Sequence, residues 1–110
     1  MPYDRVLADR IRDSLAHLPS VDEVSMFGGL SFLVNGKMAV NANTHGDLMI
    51  RCDPDHVDEL LDRDGAQLAQ MGKRKMSKGW LRIHSEGIEG ESDLDFWIEE
   101  ALKFNAKETK

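Results

Sequence analysis

The most telling pattern of apolar and polar residues lies over 26–40, MFGGLSFLVNGKMAV, where a diglycine and an Asn-Gly pair punctuate two apolar runs. The pattern predicts a β-hairpin, because Asn35-Gly36 supplies the positive-φ residues that a tight hairpin turn requires. A two-residue turn would set Val34 opposite Lys37 and Phe32 opposite Ala39, mixing polarities on both faces. A three-residue loop with Gly36 as a bulge residue instead sets Phe32 opposite Met38 and Leu30 opposite Val40, with Ser31, Lys37 and Asn41 behind them. Burial of one face favours this second register.

The flanking periodicities fill in the chain. Leu7, Ile11, Leu15 and Leu18 recur at helical spacing over 3–18, up to Pro19. Val24 and Met26 alternate with polar neighbours in a strand over 21–27. Gly28-Gly29 then reads as a tight turn, with Met26 and Phe27 anchoring it to the core. Leu48, Ile50 and Cys52 share one face of a strand over 47–52, while Met49 and Arg51 share the other. Asp53 caps a short helix, with Pro54 at its first position and Val57, Leu60 and Leu61 as its buried stripe.

Residues 66–78 show no period and read as a loop. From Gly79 to His84 a strand turns Leu81 and Ile83 one way and Trp80, Arg82 and His84 the other. A Gly-rich acidic loop leads to a last helix, capped by Ser92 with Asp95 as its capping-box partner. Leu94, Trp97, Ile98, Ala101 and Leu102 form its stripe, and the tail from Lys107 is expected to fray. The order is helix, four strands, helix, strand, helix. It gives an α+β chain with an antiparallel sheet of about five strands packed against helices.

At 110 residues the chain suffices for one core and is expected to be a single domain, 1–110. A net charge of −6 disfavours nonspecific binding of nucleic acid or anionic membrane by the whole surface. The first residues lack an apolar leader and no run approaches the roughly 18 apolar residues of a membrane span, so a cytoplasmic location is expected. One cysteine, Cys52, excludes an internal disulfide.

The elements carry MFGG at 26–29, NGKMAV at 35–40, DLMIR at 47–51 and MSKGWLRI at 76–83. In that order and separation they resemble the TfoX N-terminal domain family over nearly the whole chain. The resemblance implies a two-layer α+β fold with helices on an antiparallel sheet, similar to the secretion-chaperone arrangement. It makes Met26, Phe27, Gly28, Gly29, Asn35, Gly36 and Gly79 structural motif positions. It also implies a regulatory role, since named members are bacterial regulators of natural competence thought to contact transcription machinery. The second domain of the full-length regulators is not expected within these 110 residues.

Candidate chemistry is sparse. His17, His45, His56 and His84 fall at a helix end, a turn, a helix start and a strand end without zinc-ligand spacing, so no metal and no cofactor is expected. Cys52 lies on a core face and no serine sits in a strand-to-helix elbow. Asp55, Asp58, Glu59 and Asp62 read as a solvated helix face. Gly28-Gly29 lacks the helix that a phosphate-cradling loop needs. The chain is therefore expected to be no enzyme.

The informative asymmetry is one of charge. Between Gly65 and Ser85 there is no Asp or Glu, while Lys73, Arg74, Lys75, Lys78 and Arg82 surround Trp80. With Arg51 opposite, this marks a binding face for a protein partner or a second copy of the chain. The alternative is a nucleic acid or phosphate ligand held by Arg51, Lys78 and Arg82, with Trp80 stacked on a base.

Overall fold

The structure, a computed structural model, describes residues 4–26, 29–43, 46–63, 65–71, 74–75 and 79–108, with backbone alone at 26, 70, 71, 74, 75 and 108. Helix α1 (Arg5–Ser14) opens on Asp4, whose carboxylate accepts from the Leu7 amide at 2.9 Å, and it is shorter than the 3–18 periodicity predicts. Leu15 still packs into the core beyond the helix end. Strands β1 (Val21–Met26), β2 (Gly29–Val34), β3 (Lys37–Asn43) and β4 (Leu48–Arg51) follow as an antiparallel meander.

After β4 the chain makes a 3-10 turn (Pro54–His56) and α2 (Val57–Leu60). The Asp53 carboxylate caps the turn through the Asp55 amide, as its position before Pro54 predicts. Residues 66–78, expected as a loop, instead supply β5 (Ala66–Leu68) and a separate two-stranded ribbon, β6 (Gln70–Met71) with β7 (Arg74–Lys75). Strand β8 (Trp80–Ile83) then inserts between β4 and β5. The main sheet thus has six strands in the order β1-β2-β3-β4-β8-β5, one more than expected. Three-residue strands fall below the length at which alternation shows in a sequence, which is why β5 escaped it.

The central hairpin corrects the expected register. Asn35 and Gly36 both have positive φ, 55° and 83°, and Val34 pairs with Lys37 across a two-residue turn. The bulge lies further along. Leu33 pairs with Met38, the register shifts, and Phe32 pairs with Val40, leaving Ala39 as the extra residue. The shift carries Ala39 and Val40 to the core and leaves Met38 behind the sheet. Polarity is sorted as burial demands, but by a bulge inside β3, where Ala39 is small enough to be swallowed, and not at the turn.

Gly29 also departs from its expected use. It lies inside β2 opposite Asn43, and a Cβ there would collide with the Ala42 carbonyl oxygen and come within 2.8 Å of Asn43 Cα. The motif glycine therefore permits close approach of two strands. Phe27 and Gly28 lie outside the described residues. Gly79, at φ 110°, accepts the Cys52 amide at 2.7 Å, and a Cβ would press on Cys52 and Pro54.

Helix α3 (Glu91–Glu108) begins one residue before the expected cap. Asp95 accepts from Ser14 Oγ at 3.0 Å, tying α3 to α1. Leu94, Trp97, Ile98 and Ala101 are buried against β-sheet residues Phe32, Val40, Leu48, Ile50, Leu81 and Ile83 in one core. The helix runs to Glu108, one residue past the Lys107 at which fraying was expected to begin, and 109–110 lie outside the described residues. Asn105 donates to the Val34 carbonyl at 2.9 Å, and Lys107 pairs with Asp53 at 2.7 Å.

Candidate functional site

Cross-strand pairing aligns one row of residues on the sheet face away from the helices: Val24, Ser31, Asn41, Met49, Arg82 and Gln67. Beside it run Leu33, Met38, Arg51 and Trp80. The sequence places Met49 and Arg51, and Trp80 and Arg82, on strand faces away from the core, and the structure pairs them there. The face is nevertheless not bare. Met38, Met49 and Ala69 form a second small core with Trp80 packed against it, and Ser31 and Asn41 are 0% exposed. Ala69 extends the β5–β8 pairing by one residue, its amide donating to the Trp80 carbonyl at 3.0 Å. The face is thus partly closed, with Leu33, Arg51, Trp80 and Arg82 half-buried on it.

Buried polar groups there must find partners on the same face. Asn41 Nδ2 donates to Ser31 Oγ at 2.8 Å. Asp47, at the tight turn before β4, is 6% exposed. Its amide donates to Asn43 Oδ1 at 2.9 Å, and Gly46 at φ 82° closes the turn. One carboxylate oxygen, Oδ2, accepts from Arg82 Nε and Nη2 at 2.9 and 2.6 Å, and Oδ1 accepts from the Ser85 amide at 3.1 Å. His84 Nδ1 lies 3.4 Å from Oδ2, and its Nε2 is 3.0 Å from Gln67 Oε1. The Arg82 charge is thus answered inside the fold. Sequence reasoning missed Asp47, whose one signal was its place after a turn glycine.

Arg51 pairs across the sheet with Trp80, and its guanidinium lies 5.6 Å from that ring centre and 5.3 Å from that of Phe104. The two sequence-selected residues therefore form a stacked unit with α3. Arg74 and Lys75 make up β7, and Lys73 and Lys78 lie outside the described residues. Of the proposed basic cluster, Arg51 and Arg82 have partners within the fold.

The other candidates resolve simply. Cys52 is 0% exposed, and burial pushes its thiol up to about 11, helped by Glu100 and Asp53. A thiol so placed is a poor nucleophile at neutral pH. Among the described residues no three His, Cys, Asp or Glu side chains converge as a metal site. A cleft of about 590 Å³ between α1 and α3, floored by Leu94 and Ile98 and edged by Asp13, Glu91 and Glu99, was not foreseen.

Residues 13–105 match the family model of the TfoX N-terminal domain. The chain belongs to that family. No curated protein and no solved structure matches it significantly. In this TfoX N-terminal domain the motif residues are chiefly architectural: Asn35-Gly36 makes the hairpin turn, Gly29 admits β3, and Gly79 receives the end of β4. No helix among the described residues is long and apolar enough to cross a membrane.

Proposed function

We propose that this TfoX N-terminal domain is a noncatalytic regulatory module that contacts an acidic protein partner through the ribbon β6–β7 and the cations around it. One observation carries the reading: charge is segregated along the chain and then partly cancelled. Residues 65–85 hold five of the 14 cationic side chains and none of the 20 carboxylates. Asp47 pairs with Arg82, and the other four of these cations, Lys73, Arg74, Lys75 and Lys78, lie within six residues of one another in the sequence. A cationic ribbon on an acidic domain favours encounter with an acidic surface. Family membership supports a regulatory setting, with competence regulation as the finer reading.

Affinity capture from the native cell tests this with wild-type bait and bait carrying Lys73→Glu, Arg74→Glu and Lys75→Glu. A prey retained by wild type and lost from the charge-reversed bait supports the ribbon. Identical catches overturn it. A catch abolished by nuclease, or direct oligonucleotide binding that falls steeply with salt, would transfer the same ribbon to nucleic acid.

A further inference from the structure

The two edges of the main sheet are unequal. At one end β5 has three residues; at the other β1 has six, with residues 22–25 exposed and Val24 at 42%. Val24 is one of three large hydrophobics exposed among the described residues, with Val6 and Leu68. A long open edge offers a row of backbone donors and acceptors to any compatible strand, and sheet proteins ordinarily blunt it with charge. Here Asp22 and Glu23 would do so. Yet Arg12 grips both Glu23 oxygens at 2.7 Å, and this hydrogen-bonded pairing holds the carboxyl below its usual range. One of the two guarding charges is thus answered from α1.

The backbone says which groups face outward. The Asn35 amide donates to the Ser20 carbonyl, which makes Ser20 and Asn35 a hydrogen-bonded pair of the β1–β2 ladder. Alternation then directs Asp22, Val24 and Met26 to β2 and leaves the N–H and C=O of Val21, Glu23 and Ser25 pointing off the sheet. The geometry points to a second copy of this chain as the occupant, with the two β1 strands antiparallel about a twofold axis through Val24.

The register follows from three conditions. Side chains directly opposite in an antiparallel pair share a face, so a twofold axis normal to the sheet must pass through a residue and not between residues. An axis at Asp22 or at Glu23 sets identical carboxylates against each other, which is destabilising. An axis at Val24 sets Val24 against Val24, Glu23 against Ser25 of the second copy, and Asp22 against Met26 of the second copy, with no carboxylate facing another. It also makes Glu23 and Ser25 a pair whose outward N–H and C=O groups bond on both sides of the axis. Val24 with Val24 becomes the close, non-hydrogen-bonded pair, about 4.5 Å between Cα atoms. An axis at Ser25 loses part of this ladder. Two six-stranded sheets joined in this way form one continuous sheet, and the small contact makes the dimer a weak, reversible one.

Three changes in the full-length chain test the edge. Sedimentation across a concentration series should show wild type passing from monomer to dimer. Ser25→Pro removes an outward N–H while sparing every bond to β2, and it should weaken the dimer about tenfold or more with an unchanged circular dichroism spectrum. Val24→Cys should cross-link into a covalent dimer under mild oxidation, whereas Glu23→Cys should not; Cys52, buried, does not interfere. Wild type that stays monomeric at several hundred micromolar overturns the proposal and leaves the edge to a foreign strand. A dimer unaffected by Ser25→Pro, or cross-linking through Glu23→Cys and not Val24→Cys, overturns it as well.

Discussion

The two faces of the sheet are buried by different means. Toward the helices, Phe32, Val40, Ile50 and Leu81 form one cross-strand row of apolar side chains beneath Trp97 and Ile98. On the opposite face, Ser31 and Asn41 are a buried hydrogen-bonded pair, the buried Asp47 holds the half-buried Arg82, and Met38, Met49 and Ala69 make a second small core. Apolar contacts are interchangeable in kind and additive in area, so the first face is stable without being particular. Polar pairs are worth little net while intact and cost much when one member is removed, so the second face is particular without being the main source of stability.

The largest effect that distinguishes them should come from the helix side. Trp97→Ala, at 1% exposure, should cost about 3–5 kcal/mol in chemical denaturation, because it leaves a large cavity in the helix-facing core. On the other side, Asp47→Ala should cost about 2–3 kcal/mol, since Arg82 and the Ser85 amide lose their common acceptor. Adding Arg82→Leu should restore part of that loss. A double mutant no more stable than Asp47→Ala would deny the coupling. Ser31→Ala should cost about 1 kcal/mol through its bond to Asn41, where an equivalent loss of one small group from the helix-facing side would depend on cavity volume alone.

The smallest effect is absent at neutral pH. Cys52 has its native thiol raised from 9.0 to about 11, so the native state holds its proton longer than the unfolded chain does. Its contribution is complete below about pH 9 and is lost as pH rises toward 11, and stability should fall over that window. Cys52→Ala should flatten that fall in a pH series of denaturation midpoints. Thiol reagents at pH 8 should modify wild type only once denaturant opens the core.

Much of the helix-facing side was legible because its signal is periodic. Leu48, Ile50 and Cys52, Leu81 and Ile83, and the α3 stripe lie where alternation and helical spacing put them. The site was less so. Placing Arg51 beside Trp80 required only strand parity, and that held. The pairing of Arg82 with Asp47 was not legible, because Asp47 lies 35 residues away at the turn before β4 and nothing local in the sequence marks a long-range ion pair. The ribbon escaped because two-residue strands have no period to read.

Composition and periodicity by themselves determined the α+β class, the one turn at Asn35-Gly36, the apolar face of each long element and the concentration of positive charge before β8. These depend on neighbours in the chain, which the sequence states directly. Tertiary structure alone decided that the bulge falls at Ala39, that Gly29 is needed for a strand passing beside it, that Arg82 is answered by Asp47, and that β1 is left as the long open edge. Each of these is settled by which distant backbone arrives alongside, through excluded volume and the demand that buried polar groups be paired.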